Sequence, residues 1–159
     1  MNKRQTGLTL IELLMGMVVM AVLLAIAVPS FQTLRDQNTV RSAGMAIYAD
    51  LQLARSEAIK RNKDITVCFS GSGTASWNYQ IKNSTDCTGS IIDEAKSIDY
   101  PAITLTFPYT ELTFTPRRNT LDSGTILASN GAQNMKIITS SYGRIRTCTD
   151  EQLIGVPAC

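Results

Sequence analysis

The sequence predicts an α+β chain. A long N-terminal helix crosses a membrane with its first half and packs its second half against antiparallel β-sheet. Three observations carry that prediction. Leu8 to Val28 is apolar except for Thr9 and one charge, Glu12. From about Val40, apolar residues recur at three- and four-residue steps, the period of one helix face. From Ile65 onward, short stretches alternate apolar and polar residues between turn signals, the mark of half-buried strands.

The apolar stretch is long enough to cross a hydrocarbon core of about 30 Å as a helix. A carboxylate at mid-membrane costs on the order of 3 kcal/mol, so Glu12 reads first as a functional charge. Lys3 and Arg4 precede the stretch and orient that end toward the cytoplasm, leaving the rest of the chain in the periplasm. An ordinary secretory signal has an apolar region of about 7–15 residues followed by a small-residue cleavage site. Here the small residue, Gly7, comes first, so a cut after it leaves the apolar helix on the mature chain.

Pro29 follows and removes one helical hydrogen bond, so a bend or break is expected there. Beyond it, Val40, Gly44, Ile47, Leu51, Ala54 and Ala58 form the apolar stripe, with Arg41, Asp50, Arg55 and Lys60 largely off it. The stripe stops near Asn62. One helix from Leu8 to Asn62 would measure about 80 Å, too long for one small domain. Its first half must lie in membrane or filament and its second half against a sheet. The expected organisation is a leader over 1–7, a membrane-spanning or filament-core helix over 8–28, an amphipathic half over 29–62 and a periplasmic β-rich part over 63–159.

Strands are expected at 65–69, 77–81, 103–107, 112–115, 124–129, 135–140 and 142–147. Ser70-Gly-Ser-Gly73, Pro116, Asn130-Gly131 and Gly143 separate several of them. Residues 83–100 are polar and irregular and read as an exposed loop. Trp77, Tyr79 and Tyr142 are scattered and are expected to pack in the sheet.

Composition narrows the function. The chain has 159 residues, no histidine and four cysteines. Without histidine there is no His-based triad, no His general base and little prospect of a transition-metal site. No enzyme, cofactor or metal is expected. The formal charge of +2 is due to the leader, because removing Lys3 and Arg4 leaves thirteen side chains of each sign. Beyond the membrane, thiols usually pair. Four cysteines allow three pairings; Cys68–Cys87 with Cys148–Cys159 closes the shortest loops, and the sequence leaves the other two open.

The segment Gly7-Leu8-Thr9-Leu10-Ile11-Glu12 resembles the class III signal of type IV pilins and type II secretion pseudopilins. The resemblance implies a type IV pilin-like fold, cleavage by a prepilin peptidase between Gly7 and Leu8, and methylation of the new Leu8 amine. It implies that Glu12 pairs with the terminal amine of a neighbouring pilin during assembly. It also implies a chain that spans the inner membrane once before assembly and sits in a pilus at the cell surface afterwards. Leu8 departs from the phenylalanine most common at the first mature position. Leu51-Gln-Leu-Ala-Arg-Ser-Glu-Ala58, followed by Ile65-Thr-Val-Cys68, is similar to the GspH/FimT group of minor pilins. The bland reading of Arg55 and Glu57 within it is that they anchor the helix end.

Positive charge collects near the C-terminus. From Phe114 to Cys148 there are Arg117, Arg118, Lys136, Arg144 and Arg146 against one acid, Asp122. Strand alternation puts Arg144 and Arg146 on one face and Ile145 on the other. Gly143-Arg144-Ile145-Arg146 resembles the C-terminal motif of the FimT branch, which is associated with DNA binding in natural transformation. The resemblance carries over to Gly143, Arg144 and Arg146; Lys136, Arg117 and Arg118 join them on local charge. Contacts to phosphates are expected, hence sequence-tolerant and salt-dependent binding. A Cys148–Cys159 bridge is expected to pin the tail beside the arginines. The alternatives are a GspH-like minor pseudopilin of a type II secretion system, or a pilus-assembly initiator whose basic face binds another pilin.

Overall fold

The computed structural model describes residues 9–116 and 121–159. The chain divides into two compact units, Met1–Arg35 and Asp36–Cys159. Helix α1, Leu10–Arg61, belongs to both.

In the first unit, Thr9 caps the helix: its Oγ1 accepts the Glu12 backbone N–H at 3.3 Å. Thr9 and Glu12 therefore stand at the Ncap and N3 positions, where an acid also meets the positive end of the helix dipole. The most apolar eighteen-residue window has mean hydropathy 2.7, and none of it is buried. Large side chains including Leu10, Met15, Val18, Leu23 and Ile26 are exposed. The chain stays helical through Pro29, so the expected break is not seen. Nearby hydroxyls turn inward onto the backbone: Ser30 donates to the Ile26 carbonyl at 3.3 Å and Thr33 to the Pro29 carbonyl at 3.2 Å.

In the second unit α1 buries Val40, Ala43, Gly44, Ile47, Leu51, Ala54 and Ala58, the face its periodicity marks. The helix closes with Asn62 in the left-handed region, φ 50°. Asn62 N–H donates to the Ile59 carbonyl and Lys63 N–H to that of Ala58, both at 3.3 Å, the paired bonds of a Schellman cap. Glu57 accepts from Arg61 at 2.5 Å and Lys60 at 3.3 Å. The Arg61 bond holds its carboxyl below the usual glutamate range. Glu57 thus anchors the helix end.

Eight strands follow among the described residues: β1 (Ile65–Ser70), β2 (Asn78–Asn83), β3 (Ser90–Lys96), β4 (Thr104–Thr106), β5 (Glu111–Phe114), β6 (Gly124–Ser129), β7 (Asn134–Thr139) and β8 (Ile145–Cys148). They form two four-stranded antiparallel sheets, ordered β3-β2-β1-β5 and β4-β6-β7-β8. Ile65, Val67, Tyr79, Ile81 and Leu112 of the first sheet and Leu105, Ile126, Met135, Ile137 and Ile145 of the second join the helix stripe in one core.

Strand β3 and the 3-10 turn Ser97–Asp99 occupy the segment expected to be a loop. The reason is edge position. Only Ala95 of β3 is buried, while Asp93, Glu94 and Lys96 meet solvent or lie near it, so no apolar alternation reveals the strand. Charged residues on an edge also discourage pairing with another chain.

Two contacts fix helix against sheet. Gly44 lets the backbones close in: a Cβ there would lie 2.4 Å from Met135 Sδ and 3.3 Å from Met135 Cβ. Met135 is fully buried. Gly44→Leu is expected to lower stability in urea unfolding by about 1–3 kcal/mol through overpacking. That loss outweighs the helix-propensity gain of up to about 1 kcal/mol. A variant more stable than the parent would contradict this packing.

The second contact is polar. Tyr79 Oη donates to Asp50 Oδ2 at 2.6 Å. Burial raises the Asp50 pKa above 3.8, and the Tyr79 bond offsets part of the rise. The native state therefore holds the Asp50 proton more tightly than the unfolded chain does. This contribution favours folding below pH 3.8 and is lost as pH climbs through the raised native value. Asp50→Asn does not ionise. Its stability relative to the parent is expected to improve between pH 3 and pH 7, read from melting temperatures at the two values. A shift the other way would refute the assignment.

Candidate functional site

The site is built on the β7–β8 hairpin. Its register opposes Lys136 to Cys148, Ile137 to Thr147, Ile138 to Arg146 and Thr139 to Ile145. Opposed residues share a face, so Ile137, Thr139 and Ile145 turn into the protein while Lys136, Ile138 and Arg146 turn out. Ile145 is only 6% exposed. Arg144, immediately before β8, and Arg146 are both exposed.

Ser140 to Arg144 join the strands, with Ser141-Tyr142-Gly143 at the tip. Ser140 N–H donates to the Arg144 carbonyl at 3.0 Å, and Gly143 N–H donates to the Ser140 carbonyl at 2.9 Å. Gly143 has φ 71°, the left-handed conformation this tight loop requires and glycine supplies without strain. Gly143 is buried, so its place in the site is to set the loop.

Tyr142 does not pack in the sheet as expected. It projects from the loop at 88% exposure, whereas Trp77 and Tyr79 are each 1% exposed. The tight turn ends the strand before Tyr142 and puts its side chain outside the pleat. Ile138, Ser140, Tyr142, Arg144 and Arg146 line a shallow depression of about 280 Å³.

Among the described residues neither Arg144 nor Arg146 forms an ion pair. Their backbone positions, two residues apart, are separated by roughly 7 Å. Two like charges at that spacing repel until an anion lies between them. Guanidinium groups suit a phosphate because a planar fork donates to two oxygens at once.

The other basic residues are placed differently. Lys136 shares the outer face but forms an ion pair with Asp150, an acid the sequence pattern did not flag. Arg117 and Arg118 lie outside the described residues, as do Gly7 and Leu8. Disulfides join Cys68 to Cys87 and Cys148 to Cys159. The tail beyond Cys148 returns to pair Thr149 with Ala158, with Thr149 N–H on the Pro157 carbonyl and Cys159 N–H on the Thr149 carbonyl, each at 3.0 Å. It rests against the helix, where Gln37 donates to the Gln152 carbonyl at 3.2 Å and Gly155 meets the Arg41 guanidinium. The tail leaves the hairpin from Cys148, two residues beyond Arg146 on β8 and at the end away from the Tyr142 turn. Among the described residues no cluster of three or more histidine, cysteine, aspartate or glutamate side chains is arranged to hold a metal ion.

The chain is similar to known proteins over both of its parts. Residues 43–143 match the family model for type II transport protein GspH. Residues 2–28 match that for the prokaryotic N-terminal methylation motif. Two crystal structures of the type IV minor pilin FimU from Pseudomonas aeruginosa share the fold. One has TM-score 0.58 at 23% identity, covering 75% of this chain and 95% of that one. The other has TM-score 0.55 at 22% identity, covering 73% and 98%. No curated relative matches the chain.

Proposed function

We propose that this chain, which belongs to the GspH family of minor type IV pilins and pseudopilins, binds DNA through Arg144 and Arg146 during natural transformation. The family is one of filament subunits. It implies contact with other pilins, and the methylation motif implies processing by a prepilin peptidase. We place the cut between Gly7 and Leu8. The proposed membrane span is 8–28, with 29–62 as the amphipathic half and 63–159 as the periplasmic part. In the filament, Glu12 pairs with the Leu8 amine of a neighbouring subunit. Before assembly the chain is held in the inner membrane; afterwards it is displayed on a pilus at the cell surface.

The observation that carries the DNA reading is the exposed arginine pair, turned outward by buried Ile145 and matched by no acid among the described residues. Gly143 supports it by holding the loop. Lys136 contributes less, because Asp150 already neutralises it. Arg117 and Arg118 extend the same basic stretch in sequence. Contacts to phosphate oxygens make binding sequence-tolerant and weak per subunit.

The match to a family described as type II transport protein favours a second reading. In it the chain is a minor pseudopilin, or an assembly initiator whose basic face meets another pilin. A strain carrying Arg144→Gln with Arg146→Gln separates the readings. DNA binding predicts intact pili and lost transformation. Lost pili or lost secretion with unchanged DNA uptake would overturn it in favour of the second reading.

A further inference from the structure

We propose that the Tyr142 ring is a stacking platform for an unpaired base, so that this site grips single-stranded DNA more tightly than intact duplex. The proposal rests on the DNA-binding reading above and assigns the form of DNA the site takes.

Tyr142 is the most exposed of the five tyrosines, at 88%. Tyr79 is buried and the other three are partly covered. Leaving so large an apolar ring in water forgoes the burial that aromatic side chains usually gain. The ring also stands on a rigid mount. The two backbone hydrogen bonds of the loop and left-handed Gly143 fix the Tyr142 backbone, so little ordering remains to be done when a ligand arrives.

Its neighbours supply the complement. Arg144 and Arg146 line the same depression as Tyr142, with Ile138 of β7 and Ser140 just after it. A nucleotide unit has a π-face and an anionic phosphate a few bond lengths apart. This depression offers an aromatic face and two cationic forks along one lining. Its volume of about 280 Å³ admits one planar base. In a duplex the base faces are already stacked, so only phosphates reach the arginines. In a single strand both contacts form together, the combination used by proteins that hold single strands without reading sequence.

The test uses the full-length chain in detergent micelles. A short labelled oligothymidylate is titrated by fluorescence anisotropy, and relaxed circular duplex DNA, which has no ends, is measured as competitor. The parent is expected to bind the oligothymidylate more tightly per nucleotide than the circle. Tyr142→Ala is expected to weaken oligothymidylate binding about five-fold or more and leave the circle's affinity unchanged. Tyr142→Phe keeps the ring and is expected to behave as the parent. Circular dichroism of each variant confirms that the hairpin is folded. An unchanged oligothymidylate affinity in Tyr142→Ala, or an equal loss for both DNA forms, would overturn the platform while leaving the arginine site standing. Absence of binding to either form by the parent would instead overturn the DNA reading itself.

Discussion

Replacing Arg144 and Arg146 together by glutamine is expected to weaken binding of short duplex DNA at least tenfold at low salt. The same change should flatten the salt dependence. Each exposed guanidinium is assigned about one phosphate, and each phosphate neutralised contributes roughly −0.9 to the slope of log affinity against log salt. Losing both therefore lowers the slope by about 1.8. Glutamine keeps a polar side chain without the charge, and both side chains lie outside the core, so folding should be preserved. Lys136→Gln serves as the contrast. Its charge is already met by Asp150, so a smaller loss is expected. Equal losses for Lys136→Gln and the double arginine variant would show a diffuse basic surface in place of a site.

The second large effect concerns the tail. Cys148 and Cys159 are separated by eleven positions, and their bridge ties the end of the tail to β8 while Gln37 holds Gln152 to the helix. Replacing both by serine is expected to cost about 3 kcal/mol in the chain-entropy account of short loops. For a domain of this size that lowers the melting temperature by on the order of 10 °C. DNA affinity measured below the new transition should hold or rise slightly. The arginines lie toward the Tyr142 turn, and freeing the tail also loosens Asp150 from Lys136. A large fall in affinity with the hairpin still folded would instead mean that the bridge organises the arginine pair.

Much of this arrangement is legible in the residues because it follows simple periods. Val40 to Ala58 repeats at the helical step and is the face that α1 buries. Arg144-Ile145-Arg146 alternates at the strand step, and Ile145 is buried between its exposed neighbours. What escapes the sequence depends on partners distant in the chain or on an edge. Strand β3 has one solvent-facing edge and nearly no buried face, so its Asp93-Glu94 pair reads as loop. Tyr142 reads as the first residue of a strand until the hydrogen bonds around Gly143 make it a loop tip. Asp150 gains its meaning only when β8 lies beside β7 and brings it to Lys136. Pro29 shows the limit of a local rule: the chain remains helical through a proline that removes one hydrogen bond.

The exposed arginine pair is proposed to bind DNA through its phosphates. Among the described residues every buried core residue lies at position 40 or beyond, so residues 36–159 carry that core without the apolar segment and suit a binding measurement. The most direct measurement titrates that segment with short duplex DNA at several salt concentrations. Weak binding is expected, micromolar or worse, that falls steeply as salt rises and loses most of that dependence in the double arginine variant. No binding at the lowest salt would contradict it.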